Sequence, residues 1–278
     1  MLIGAHVSIA GGVSLAFERA LRLKAKSFQI FTKTARGWLG PPCSREERRA
    51  FRRNARRTGL PSIAHGSYLV NLASEEPALR EKSICCLVDE LTRCEQLGIP
   101  YLVIHPGGHQ DPRAGLRLIS AGLDEVHAQT RRFRSRIALE VTAGQGNSLG
   151  WRFEHLAEIL GQTLRGDRVG VCLDTCHLHA AGYDISSAKG YDSVMRNLDR
   201  LVGLERVTSF HLNDSKKPLG CRVDRHEEIG KGTLGLAAFR RLVRDPRFRG
   251  RVAVIETPFA ERDAKAVRLL QSMARSAR

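Results

Sequence analysis

Residues 169–177 read VGVCLDTCH: an unbroken small and apolar run, then Asp174, then a turn into a new segment. A short apolar run without polar alternation is a strand buried on both faces, which is how strands of a parallel sheet read. The same pattern recurs along the chain, at Leu2–Val7, Ser27–Thr32, Ser62–Gly66, Tyr101–Pro106, Arg136–Thr142, Val169–Thr175, Val207–Asn213 and Val252–Thr257. Between these runs lie stretches of helical periodicity: Val13–Leu23, Arg45–Thr58, Glu76–Leu97, Arg113–Arg132, Phe153–Leu160, Gly190–Val202, Leu236–Arg244 and Asp263–Ala277. Eight strand–helix units in succession predict an α/β fold, a single (β/α)8 TIM barrel over residues 1–278. The alternative, a doubly wound open sheet, usually carries a glycine-rich phosphate turn after its first strand. The segment GAHVSIAGG (4–12) does not fit that fingerprint.

No internal repeat, low-complexity tract or linker divides the chain. The longest irregular stretches, Lys33–Ser44, Ala143–Arg152 and Asn213–Thr233, all follow strands. In a barrel they fall on the C-terminal face, where active sites are built. The polar residues of the strands point to the same face. His65 and His105 end the third and fourth runs, and Glu140, Asp174, His211 and Glu256 sit near the ends of the fifth to eighth.

A single His or Asp at a strand end is usually a hydrogen-bonded packing residue. Six in succession are not explained that way, because buried carboxylates without compensating charge are costly. Two local pairs extend the set. Asp174 and His177 are three apart at the turn out of the sixth strand, and Asp224 and His226 are two apart, on one face of an extended segment. Imidazoles and carboxylates without thiolate suit Zn2+, with Mn2+ or Fe2+ able to take part of the site. Nine donors exceed the needs of one ion and predict a two- or three-metal cluster. Three Zn2+ bring +6 against the −4 of Glu140, Asp174, Asp224 and Glu256. A site that remains positive favours a phosphodiester, on which paired metals assist an in-line displacement.

Composition agrees. The net charge of +16 points to a polyanion, either nucleic acid or an anionic membrane surface. The seven cysteines, Cys43, Cys85, Cys86, Cys94, Cys172, Cys176 and Cys221, contain no CxxC pair and read as reduced thiols. The N-terminus lacks the features of a secretory signal, and no run is long enough to span a bilayer. The expectation is a soluble, cytoplasmic protein with no membrane partner. Nothing signals an oligomer interface, so a monomer is expected.

The segments GAHVSIAGG, FTKTARGW (31–38), HGSYLVNL (65–72), HPGGH (105–109), EVTAGQGNSLG (140–150), VGVCLDTCH, FHLNDSK (210–216), GCRVDRHEEIGKGTLG (220–235) and IET (255–257) together resemble the endonuclease IV family, the zinc-dependent class II apurinic/apyrimidinic (AP) endonucleases. The resemblance covers nearly the whole chain. It implies three zinc ions: one held by His65, His105 and Glu140, a second by Glu140, Asp174, His211 and Glu256, and a third by His177, Asp224 and His226. Glu140, bridging the first two, is the residue the resemblance puts at the catalytic centre.

It further implies hydrolysis of the phosphodiester 5′ to abasic sites in double-stranded DNA by metal-activated hydroxide, leaving a 3′-hydroxyl and a 5′-deoxyribose phosphate. Removal of blocking groups from 3′ ends (3′-phosphodiesterase and phosphatase activity) is implied as well. The family extrudes the abasic nucleotide, which is cheap once a base is lost. Arg36, Tyr68 and Leu69 match its wedge positions, although a leucine at 69 can also be core. Ser8 to Gly12 and Gln145 to Gly150 would line the DNA groove.

Gly66 and Val141 stand where the family often has Asp and Asn. Among the other histidines, His127, His155 and His179 read as surface or capping residues, while His6 and His109 lie nearer the mouth as outer contacts to ligands or phosphate. Two other readings compete. A sugar isomerase or epimerase of the xylose-isomerase-like barrels also gathers His, Asp and Glu at strand ends, but it needs fewer ligands and has no use for so basic a chain. A non-catalytic DNA-binding barrel would lack ligand positions, and none is missing.

Overall fold

The computed structural model describes residues 1–256 and 262–275. Eight parallel strands close into a barrel: β1 (Leu2–His6), β2 (Phe28–Phe31), β3 (Ser62–His65), β4 (Tyr101–Ile104), β5 (Arg136–Glu140), β6 (Val169–Asp174), β7 (Val207–His211) and β10 (Val252–Ile255). The ring order is β1-β10-β7-β6-β5-β4-β3-β2, so each strand pairs with its barrel neighbours in sequence. The first and last strands close it through Leu2↔Val252 to Ala5↔Ile255. This is the TIM barrel expected from the sequence.

All six residues of β6 are buried, as the continuous apolar run requires. Inside the barrel, Ile63, Val103, Ala138 and Cys172 form a small cluster beneath the mouth. The observed strands stop one or two residues short of the expected runs, because the polar residues at their ends already turn into loops. Thr257, the expected end of the last run, and residues 276–277 of the expected last helix lie outside the described residues.

Helices pack outside the strands: α1 (Ala16–Arg22), α2 (Arg45–Thr58), α3 (Pro77–Leu97), α4 (Pro112–Gln129), α5 (Phe153–Gln162), α6 (Thr175–Ala180), α7 (Ala188–Leu201), α8 (Gly235–Arg244) and α9 (Asp263–Arg275). Their ends are written locally. Ser44 Oγ accepts from Glu47 N to cap α2, Asp111 caps α4 ahead of Pro112, and Pro77 opens α3. Gly59 and Gly98 end α2 and α3 with left-handed φ of 64° and 81°, which a side chain would oppose.

Phe51 is the one buried residue of α2, and the partly buried Ala55 also packs against the core. The Phe51 ring meets Phe17 edge-on at 4.8 Å, and Phe17 meets Phe28 at 4.8 Å. Deleting such a ring costs about 3–5 kcal/mol.

The short α6 does not appear among the expected helices. Its six residues, TCHLHA, are buried on every side, so they carry no amphipathic period. The segment 213–233 covers it, contributing a two-stranded ribbon of β8 (Asp214–Ser215) and β9 (His226–Glu227). Among the described residues no helix is long and apolar enough to cross a membrane. All seven cysteines are free thiols.

Candidate metal centre

Six strand ends converge at the mouth. Glu140, at the end of β5 and 1% exposed, lies at the middle of the cluster. Its two oxygens face different imidazoles. Oε2 lies 3.2 Å from His65 Nε2 and 3.3 Å from His105 Nε2, while Oε1 lies 2.9 Å from His211 Nδ1 and 3.2 Å from His177 Nδ1. His211 Nδ1 is also 3.1 Å from Glu256 Oε2 and 3.9 Å from Asp174 Oδ2. One ring N–H can satisfy only one of these three carboxylates.

The capping chemistry of α6 sets the third group. Asp174 Oδ1 accepts from His177 N at 2.8 Å, which places His177 one turn beyond the strand end. Asp224 then lies between two imidazoles, with Oδ2 3.2 Å from His177 Nε2 and Oδ1 3.2 Å from His226 Nε2. The contact to His226 does not meet hydrogen-bond geometry, and its buried Nε2 has no hydrogen-bond partner among the described residues.

Donor atoms within 4.8 Å of one another form two sets that match the sequence reading: His65, His105 and Glu140; and Glu140, Asp174, His211 and Glu256. The third reading, His177, Asp224 and His226, is not gathered as one such set. His177 and His226 group with Asp174, and Asp224 and His226 group with Cys176, so Asp224 links the two imidazoles. In sequence Cys176 reads only as a buried thiol. Burial and the nearby Asp174 push that thiol up to about 12.

Four imidazoles are held by one ring nitrogen, which leaves the other for the cluster. His65 Nδ1 donates to Gly66 O (2.8 Å), His177 Nδ1 to Val141 O (2.9 Å), His226 Nδ1 to Glu256 O (3.1 Å) and His211 Nε2 to Gln29 Oε1 (2.9 Å). Such outer contacts fix tautomer and ring orientation. Three are backbone carbonyls, and those of Gly66 and Val141 do not depend on which side chain stands there.

Electrostatics follow from this crowding. Burial opposes the charged form of Glu140, yet His211 and His105 hold its carboxyl well below the usual range. Burial likewise opposes charge on His177, but Asp174, Asp224 and Glu140 raise its pKa well above normal. His226 is raised to about 9 against its burial, chiefly by Asp224 and Asp174.

The donor set fits divalent metal. The recurring 3.2–3.3 Å nitrogen–oxygen separations are close to the edge of a tetrahedron of ligands about 2.0–2.1 Å from a shared zinc, which is about 3.3 Å. The orphaned His226 Nε2 and four carboxylates around five imidazoles ask for the same compensating charge.

Sequence reading missed three contributors. Gln29, fully buried on β2, also donates to Glu256 Oε1 (2.5 Å) and lies 3.0 Å from His6 Nδ1. Its polar side chain in the middle of SFQIFT was the available signal. Asn213 donates to Asp174 Oδ2 (2.6 Å) and accepts from Glu256 N (2.8 Å). Lys33 and Glu90 form a buried ion pair.

His6 lies 3.7 Å from Glu256, as an outer contact should. His109 instead binds Glu75 (3.0 Å) and accepts from Asp111 N, with both ring nitrogens used structurally. His127 and His179 are buried at 3% and 4%, not at the surface: α4 turns His127 inward, and the 213–233 cover lies over His179.

At the rim, Tyr68 is 59% exposed, its ring tilted over His65 at 5.5 Å and against His105 at 6.4 Å. Partial desolvation at the mouth, with the Glu256 and Glu140 charges, raises the pKa of its hydroxyl. Leu69 is half-buried and Arg36 is exposed. Ala35 O accepts from Ser67 Oγ (2.9 Å) and Tyr68 N (3.1 Å), which joins the loops carrying Arg36 and Tyr68. Clefts of about 220 and 260 Å³ open beside His105, sharing Thr142 and Ser148 as walls.

Residues 17–275 match the family model described as a xylose isomerase-like TIM barrel. The chain is 50% identical over 280 residues to the probable endonuclease 4 of Chloroflexus aurantiacus, covering 99% of this chain and 98% of the relative. It is 40% identical to endonuclease IV from Thermus thermophilus, whose crystal structure superposes with a TM-score of 0.90 and full coverage of both chains. The chain belongs to the endonuclease IV family. It is an enzyme of the endonuclease IV type, with a metal-binding mouth of His, Glu and Asp. A D-tagatose 3-epimerase-like protein shares the fold alone, at 16% identity and a TM-score of 0.72 over 99% of this chain and 98% of that one. The barrel common to endonuclease IV and such epimerases explains why strand-end ligands by themselves suggested both.

Proposed function

We propose that the protein hydrolyses the phosphodiester 5′ to abasic sites in duplex DNA, leaving a 3′-hydroxyl and a 5′-deoxyribose phosphate, and also clears blocked 3′ ends. The observation that carries the reading is Glu140, whose two buried oxygens face separate imidazole pairs within a nine-donor mouth. Membership of the endonuclease IV family supports it.

His65, His105 and Glu140 would hold one zinc, Glu140, Asp174, His211 and Glu256 a second, and His177, Asp224 and His226 a third, with Mn2+ or Fe2+ able to replace part. Divalent metal bound there supplies positive charge to the scissile phosphate and acidity to water at neutral pH. Gln29 and Asn213 hold His211, Glu256 and Asp174 in orientation through the contacts described above. Tyr68 keeps its proton at physiological pH and so offers an O–H donor at the rim. Its exposed ring, with Leu69 and Arg36, fills the gap left in the base stack. The basic chain draws in DNA by phosphate contacts. It would act as a single-domain monomer in the cytoplasm; the seven free thiols fit a reducing compartment.

Incision of a 5′-labelled duplex bearing one tetrahydrofuran residue tests the reading. A nick 5′ of the lesion with an end that a polymerase extends is expected. No nick at the tetrahydrofuran, with cleavage 3′ of a natural abasic site by β-elimination, would replace it with a lyase, because the analogue lacks the aldehyde that elimination needs.

A further inference from the structure

Helix α2 carries far more charge than a surface helix needs. Its fourteen residues, REERRAFRRNARRT, hold seven arginines and two glutamates, net +5 of the chain's +16. Arg45, Arg49, Arg53 and Arg56 are exposed, and none has an ion-pair or hydrogen-bond partner among the described residues. At 100° per residue these four fall within one outward quadrant, opposite Phe51. Arg52, beside them, is spent on the C-terminus of α3, donating to Glu95 O and Gln96 O. Like charges one turn apart repel, so the row works against the helix that carries it.

The row begins at the mouth. Glu47, in the first turn of α2, accepts from Ser14 N (3.0 Å) and Ser14 Oγ (2.9 Å), just beyond the loop that follows β1. The segment before the helix carries Arg36. At its far end, Thr58 borders a cleft walled by Lys24, Lys26, Arg268 and Arg275. Lys24 there adopts a left-handed φ of 56°, a conformation that glycine fills more readily. Arg45 to Arg56 span about 16 Å, roughly five base-pair steps of B-form DNA.

We propose that the outward arginine row of α2 is a second, sequence-independent contact for duplex DNA, outside the metal-lined mouth. It rests on the reading of DNA as substrate and adds a flank to it. Nucleic acid fits better than a lipid surface, because a membrane-lying helix presents an apolar face and the exposed face of α2 is arginine. The row would hold phosphates remote from the lesion and retain the protein on undamaged duplex between lesions.

The test is the variant Arg45→Gln/Arg49→Gln/Arg53→Gln/Arg56→Gln, which leaves Phe51 and the mouth untouched. Binding to an undamaged 30-base-pair duplex is measured against salt, and incision is measured on a short abasic duplex that reaches the mouth alone. The expected result is a slope of log affinity against log salt that is shallower by about 3 to 4, since each phosphate contact contributes about 0.9. Incision of the short duplex stays unchanged, and the melting temperature does not fall, since the repulsion along the row is relieved. Equal slopes for both proteins would overturn the proposal. So would loss of binding to phosphatidylserine vesicles with duplex binding intact. Failure of the wild-type protein to incise would strike the catalytic reading instead, because the binding measurement needs no cleavage.

Discussion

The Lys33 ammonium and the Glu90 carboxylate meet at 2.8 Å, with 2% of either side chain exposed. This pair ties the two rim loops to the body of the barrel. Lys33 Nζ donates to Gly37 O (2.6 Å), beyond Arg36, and both Glu90 oxygens accept from Ser67 N, beside Tyr68. Burial pushes the Glu90 carboxyl above its usual range even with Lys33 beside it, so losing the partner leaves a costly group. Lys33→Met should lose about 3–5 kcal/mol of stability, the usual result of stranding a buried charge. Lys33→Met/Glu90→Leu should recover most of that in urea denaturation. It should still raise KM for abasic duplex, by on the order of tenfold, because the loops lose their tether. Unchanged KM in the stable double variant would show the pair to be structural alone.

Tyr68→Ala separates substrate recognition from chemistry. As the proposed wedge its ring would offer a stacking surface worth about 1–3 kcal/mol, so abasic-duplex affinity should drop about 5- to 150-fold. Hydrolysis of a small phosphodiester such as bis(p-nitrophenyl) phosphate needs no stack and should continue at its wild-type rate. Equal loss on both substrates would place Tyr68 in the chemistry.

His226→Ala should remove one bound metal and most incision while duplex binding persists. Metal analysis beside a gel-shift measurement checks this. Activity retained with one metal fewer would show that the third ligand set is misassigned.

His127 gives a pH dependence well away from the metals. Burial, with the Arg168 and Arg165 charges, lowers its pKa to about 4, and neither ring nitrogen has a hydrogen-bond partner. The unfolded chain takes up this proton near its ordinary value of about 6.5. The folded state therefore has its full advantage above that pH and loses it as pH falls toward 4. The loss at pH 5 is about 2 kcal/mol. His127→Leu should flatten urea-derived stability between pH 7 and 5 relative to wild type, since the metal cluster's own titration is common to both. Parallel pH profiles would contradict the assignment.

The barrel was legible because parallel strands are buried on both faces and therefore read as unbroken apolar runs. The mouth was legible because His65, His105, Glu140, Asp174, His211 and Glu256 interrupt those runs near the same end. Local spacing also exposed DTCH, where one Asp both caps α6 and faces the cluster. Other features leave no such trace. Lys33 and Glu90 are brought together by the packing of α3, and no spacing rule joins them. The short α6 hides among histidines, a residue type that ordinarily suggests contact with solvent. Gln29 looks like an ordinary strand residue until the barrel closes and aims it at His211 and Glu256. The orientation of His65, His177 and His226 rests on the backbone carbonyls of Gly66, Val141 and Glu256, which residue identities do not disclose.

The nine donors at the barrel mouth are proposed to hold the metals needed for cutting DNA beside an abasic site. Chelator-stripped protein titrated with zinc, with bound metal and single-turnover incision of a tetrahydrofuran duplex followed together, tests this most directly. The stripped protein should show no incision, and activity should rise to its plateau as the third zinc per chain binds. Full incision by metal-free protein, or a plateau reached with a single zinc, would contradict it.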